Sequence, residues 1–445
     1  MVIATIFTIT LLVVLCNKTY QKYRPHYLIN PGFYFGLSWM ITLMAHGIPL
    51  FDYASYPDEY FRLLIYVNTT AAIWLLLLYV PAKRNTSNYP SRTNLTRNVI
   101  LLNYDILWFL ATTFGIICLF GSVVIFVKMI SIGDLLERRI FYVERPSVEY
   151  LYFEWLYLAG QVSSFLFGYS LKKTNKLSKY IIGGIPFYAS ILFSMSTGRR
   201  QHMLFIIIAY LFGILISQDP VNIRTIKERI KYYLKMKRRN IIIISISIIV
   251  FIQIFGYIHS LIPPIGQEYY LTELGDTLVW KAIFTVIPMG LWDYLVKPIY
   301  SYQSRVRVFR TFDIQYGRHS FWPVEYIAVK LLASERKLSG SQLALYFDEF
   351  FRTPATIFCG FTYDFGEDLV IVATILMVLI SFGLFRLFIT KPNFSIFRSI
   401  LLLHICIFWI YSTQFSYFSA GGELLILWAF LAHISYQFLK KLRVK

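Results

Sequence analysis

The stretch Cys359–Ile389, CGFTYDFGEDLVIVATILMVLISFGLFRLFI, decides how this chain is read. It opens with aromatic rings and three carboxylates, Asp364, Glu367 and Asp368. From Leu369 onward it is apolar and broken by a single charge, Arg386. That apolar run is long enough to cross a hydrocarbon core of about 30 Å. It must be helical, because lipid offers no partners to unpaired backbone groups. The boundary at Asp368 closes a long interruption. From Leu261 to Asp368 the chain is aromatic, charged and not continuously apolar, whereas on both sides short apolar segments alternate with short loops. Long connections inside compact proteins are functional or disordered, and this one is too rich in aromatic residues for disorder.

Composition settles the class. The chain is 57% hydrophobic and 15% charged, with a mean hydropathy of +0.56. Apolar runs of span length recur about eleven times: near 2–16, 33–51, 61–81, 104–126, 149–170, 179–196, 201–217, 240–260, 369–390, 396–411 and 424–439. The expected fold is therefore an all-α polytopic membrane protein with one long, partly helical outer loop. Three regions follow: an eight-span membrane region (1–260), the loop (261–368) and a three-span C-terminal region (369–445). The first run lacks a basic leader and a small-residue cleavage site, so it is read as a retained helix.

The net charge of +19 raises the question of nucleic acid, but its placement points to membrane orientation. Basic residues gather in alternate loops: Lys18, Lys22 and Arg24; Lys83, Arg84, Arg92 and Arg97; Lys172 to Lys179; Arg224 to Arg239; Lys391 and Arg398; and the tail Lys440 to Lys445. The intervening loops are acidic or balanced, as with Asp52, Asp58 and Glu59. By the positive-inside rule the N-terminus lies outside, the C-terminus in the cytoplasm and the loop 261–368 outside. The apolar run Thr277–Val296 then reads as interfacial, re-entrant or packed against the spans. Of four cysteines only Cys359 falls in the outer segment, so no outer disulfide pair is available. No metal-ligand spacing, phosphate loop or nucleophile elbow occurs, and no cofactor is expected.

Three constellations carry chemistry. The turn Ser196–His202 holds Arg199 and Arg200 beside Gly198. Paired guanidiniums at an outer membrane surface suit a pyrophosphate, which they grip bidentately; snorkelling toward lipid headgroups is the structural alternative. The outer segment carries Arg305, Arg307 and Arg310, then Arg318 and His319. Arg305 and Arg307 would share one face of a strand, either as an anion- and sugar-binding surface or as a solvated basic face. The third, Arg352 to Asp368, leads into the helix at 369–390. Its carboxylates either complement a helix N-terminus or, for Asp364 between Tyr363 and Phe365, belong to a site.

In this order the three constellations resemble the Wzy-type oligosaccharide repeat-unit polymerases of O-antigen and capsule assembly. The shared features are many helices, a Gly-Arg turn (Gly198, Arg199, Arg200), a long outer loop (Met289 to Tyr294, Arg305 to Arg318), and a Thr-rich aromatic segment ending in Asp-Phe-Gly, here Thr353 to Thr356 and Tyr363 to Gly366. The likeness is sharp over about forty residues. Pro354 stands where the family often has Asn, and Asp368 where Gly often follows.

The resemblance implies a metal-independent glycosyltransferase of the bacterial inner membrane, polymerising undecaprenyl-pyrophosphate-linked oligosaccharides. Arg199, Arg200, Arg305, Arg318, Arg352 and Tyr363 would bind pyrophosphate and glycan, with Asp364 or His319 as base. Membrane lipids and a chain-length regulator protein are the further partners, and nucleic acid is not one. A ligase of the same chemistry and a lipid-linked oligosaccharide flippase are the alternatives. The flippase calls for paired broken helices and similar halves, which this sequence does not display.

Overall fold

The computed structural model describes residues 1–23, 26–50, 53, 55–80, 104–131, 148–170, 181–197, 201–217, 272–286, 289–309, 356–390, 395–413 and 422–444. Helix accounts for 91% of it and no strand occurs among the described residues, so the all-α expectation holds. The α-helices used below are α1 (Val2–Lys22), α2 (Pro31–His46), α3 (Pro57–Tyr79), α4 (Tyr104–Ser131), α5 (Val148–Ser170), α6 (Ile185–Thr197), α7 (Gln201–Ser217), α8 (Leu278–Val286), α9 (Met289–Phe309), α10 (Ile357–Phe365), α11 (Val370–Thr390), α12 (Ile396–Ile410) and α13 (Gly422–Val444).

Five segments are long and apolar enough to cross a membrane: Val2–Lys22, Pro57–Tyr79, Tyr104–Val127, Glu367–Thr390 and Ile396–Thr413. Two shorter apolar helices, Ile181–Phe193 and Met203–Ser217, occupy runs read from the sequence as spans. The run at 240–260 lies outside the described residues.

Local signals set the helix starts. Asn30 precedes Pro31, whose fixed φ suits a first helical turn, and the Asn30 side chain accepts from the Gly32 amide at 2.8 Å. Ser395 caps α12 through the Arg398 amide.

The helices pack as two groups that share one core. In the first, α4 lies along α5 and α6, and α7 closes on α5. The α5–α7 crossing is close because Gly168 and Gly213 face it. A Cβ on Gly168 would collide with the Tyr210 carbonyl, and one on Gly213 with that of Phe165. Small residues that let backbones approach are the usual device where lipid removes the hydrophobic drive between helices. In the second group α1, α2, α3, α11 and α12 pack together, and α13 rests on both α12 and α5. Buried indoles tie this group. The Trp39 Nε1 donates to Ser412 Oγ at 2.9 Å, and the Trp409 Nε1 to Ser381 Oγ at 2.8 Å. Each gives a buried ring its polar partner.

Within the segment 261–368, α9 packs on α2, α3 and α10. Of the run Thr277–Val296, residues 278–286 form α8 and those from Met289 belong to α9, with 287 and 288 outside the described residues. Thr272 anchors the entry to α8: its amide donates to Leu50 O at 3.1 Å and its hydroxyl to Pro49 O at 2.6 Å.

Candidate functional site

All three constellations lie partly outside the described residues. Arg199, Arg200, Arg318, His319 and Arg352 belong to those positions. Arg305, Tyr363 and Asp364 are described: Arg305 lies on α9, which packs on α3 and α10, and Tyr363 and Asp364 lie on α10.

Helix α10 is short and wholly inward-facing. Thr356 caps it, its hydroxyl accepting from the Cys359 amide. Every residue from Ile357 to Asp364 is buried. Gly366 ends it at φ 74°, a left-handed conformation in which a Cβ would be strained. The Gly366 amide closes back onto Thr362 O at 2.9 Å. A turn of 3-10 helix, Glu367–Leu369, then leads into α11.

This geometry corrects the capping alternative for Asp364. The residue sits in the last turn of α10, not at the start of α11, and its side chain is 0% exposed. A carboxylate there faces the negative end of the helix dipole, so its place is not explained as dipole complementation. Glu367 also does more than cap. Its carboxylate pairs with the Arg62 guanidinium of α3, and the Tyr66 hydroxyl donates to its carbonyl at 3.5 Å. The Arg62 and Glu367 side chains are 43% and 27% exposed, so screening limits the pair to about 1 kcal/mol or less. Its role is to orient the α10–α11 turn against α3.

A second correction concerns Arg305 and Arg307. They lie on a helix, so two residues apart they diverge by about 200° instead of sharing a face. Arg305 is 5% exposed. It donates to the Cys359 thiol on α10, and burial disfavours its charged form. Arg307 is exposed and stands over the Tyr56 ring at 4.5 Å from its centroid. The solvated-face alternative therefore fails for Arg305. Burial pushes the Cys359 thiol up to about 11, with Arg305 acting the other way. Burial, then the neighbouring Asp364 charge, pushes the Tyr363 phenol up to about 12.

The opposite wall comes from α3, which sequence reasoning passed over. Tyr56, Glu59, Arg62 and Tyr66 recur at spacings of three and four residues, one stripe of a helix. Tyr56 donates its amide to Gln303 Oε1 at 2.7 Å, and Tyr302 lies within electrostatic reach of Tyr66, Cys359, Glu59 and Glu367. Glu59 is buried at 4% exposed. The available signal was this spacing of polar residues at the head of an apolar helix, where an interfacial belt is the ordinary reading.

The result is a polar seam between α3 and α9, closed by α10, in which Tyr302 lies near Tyr66, Cys359, Glu59 and Glu367 and the buried Arg305 bonds Cys359. It can stabilise a developing negative charge through Arg305 and accept a proton at Asp364 or Glu59. Among the described residues no group of three or more His, Cys, Asp or Glu side chains could hold a metal ion. No protein-family model, curated protein or solved structure matches the chain.

Proposed function

We propose that the chain polymerises undecaprenyl-pyrophosphate-linked oligosaccharide repeat units at the outer face of a bacterial cytoplasmic membrane. The observation that carries this reading is the burial of Arg305 on α9 against α10, which bears Asp364. Through Cys359 that buried cation reaches the short helix that also bears a buried carboxylate, both suggested by the sequence as site residues, in a partly dry interior. There, donors aimed at developing charge are worth far more than in water.

In the reaction, an acceptor sugar hydroxyl attacks the anomeric carbon of the donor glycan. The new carbon–oxygen bond forms as the bond from that carbon to the pyrophosphate oxygen breaks. The bonding pair leaves with the lipid pyrophosphate, whose added charge Arg305 neutralises, together with Arg199 and Arg200 in the resemblance. The hydroxyl proton passes to Asp364, a positioned base, and returns to solvent. No metal or nucleotide is required. The topology that goes with this reading is about eleven spans, an outside N-terminus, an inside C-terminus and an outer 261–368.

Single variants at Arg305 and Asp364 in cells making the polymer test the proposal. Asp364→Asn should abolish long polymer and leave lipid-linked single repeat units accumulating. Arg305→Lys should restore only short chains, since an ammonium lacks the guanidinium fork. A wild-type ladder of chain lengths from both variants would end the polymerase reading.

A further inference from the structure

The seam holds donors that the protein itself does not satisfy. Tyr302 is 0% exposed, and its hydroxyl has no hydrogen-bond partner. Gln303 is 0% exposed as well. Its Oε1 is taken by the Tyr56 amide, while its Nε2 has none. Buried polar atoms are nearly always partnered, and each exception calls for a cause. Here two exceptions are adjacent on α9, facing the α3 stripe that carries Tyr56 and the buried Glu59.

The chemistry of the walls selects the occupant. A hydrocarbon would leave both donors unmet. An anion placed at this level would meet Glu59 and Glu367. An uncharged sugar does neither, because each of its hydroxyls donates to a carboxylate and accepts from a phenol or amide. Aromatic rings, whose faces suit sugar C–H groups, lie on and against α9. Tyr56 lies under Arg307, and Tyr53 and His46 each stand against Tyr300, at centroid distances of 4.8 and 4.9 Å.

We propose that Tyr302 and Gln303, opposite Glu59, form a subsite for the hydroxyls of an uncharged sugar, and that this sugar is the accepting end of the lipid-linked repeat unit. The second half rests on the polymerase reading; the first stands without it.

The probe is the oligosaccharide released by mild acid from the surface polysaccharide of cells that make this protein. Its binding to the full-length, detergent-solubilised chain is measured by calorimetric titration. The wild type should bind, and Tyr302→Phe should bind about tenfold more weakly, the loss of one buried hydrogen bond. Gln303→Glu keeps the oxygen that serves Tyr56 and removes the donor; it should weaken binding similarly. Tyr302→Phe should melt no lower than wild type, since it removes only an unpartnered hydroxyl. No binding by the wild type, or equal binding by Tyr302→Phe and Gln303→Glu, overturns the subsite even if Asp364→Asn abolishes polymer. Weakened binding in these variants together with intact polymer in Asp364→Asn keeps the sugar subsite and removes its acceptor role.

Discussion

Arg305→Met is the most informative single change. The guanidinium is 5% exposed and donates to a thiol, a weak acceptor, while its burial disfavours the charge. Methionine is unbranched, apolar and of comparable reach, so it fills the space without leaving a void. Replacing a buried charge by an apolar side chain of similar volume is often neutral or stabilising. Arg305→Met should therefore hold stability to within about 1 kcal/mol of wild type, or raise it. Arg305→Ala leaves a cavity between α9 and α10 and should cost about 2–4 kcal/mol.

The fold supplies the assay. Cys118, Cys359 and Cys406 are buried free thiols, so a thiol-reactive fluorophore reports unfolding as temperature rises. Polymer length from the same cells gives the second readout. The expected pattern is a melt at or above wild type for Arg305→Met, a clearly lower melt for Arg305→Ala, and no long polymer from either. Full-length polymer from Arg305→Met would refute the assignment of Arg305 to charge stabilisation. A Met variant that melts as low as Ala would show that the guanidinium serves the fold instead.

Four further outcomes follow from the same structure. Gly213→Leu should prevent α7 from closing on α5 and should appear as loss of folded protein from size-exclusion chromatography, while Gly383→Leu, with nothing within 4 Å of an added Cβ, should be tolerated. Arg62→Ala should lower stability by no more than about 1 kcal/mol in a chemical melt, because the Glu367 pair is partly solvated; a loss of several kcal/mol would contradict that. Cys359 ionises in the unfolded chain near the ordinary thiol value of 9.0 but in the fold only near about 11. Its stabilising contribution is therefore intact below pH 9 and declines as pH rises toward 11, so Cys359→Ser should flatten the alkaline fall in melting temperature over that window. In a cysteine-free background, Glu273→Cys should react with an impermeant maleimide in intact spheroplasts and Lys440→Cys should not; the reverse labelling would invert the orientation.

Much of the architecture was legible in the chain itself. The apolar runs near 369–390 and 61–81 read as helices of span length because lipid leaves the backbone no other way to satisfy its hydrogen bonds, and the structure has helices at Glu367–Thr390 and Pro57–Tyr79 that are long and apolar enough to cross. Asp364 and Arg305 were also visible, as a carboxylate and a cation out of keeping with their aromatic neighbours. Their setting was not. Whether Arg305 is buried and Arg307 exposed depends on α9 being a helix, and a two-residue spacing reads equally well as one face of a strand. Asp364 stood three residues before Glu367 in an acidic run that looked like a helix start; only the turn at Gly366 assigns it to the end of α10. The contribution of α3 was the least legible. Glu59, Arg62 and Tyr66 resemble an ordinary interfacial belt until α9 packs across them. Apolar length and periodicity are local properties, so the sequence determines the helices one by one. The seam joins side chains from α3, α9 and α10 across more than two hundred positions, and no local pattern encodes which polar stripe will face which; that choice falls to the packing of the whole bundle.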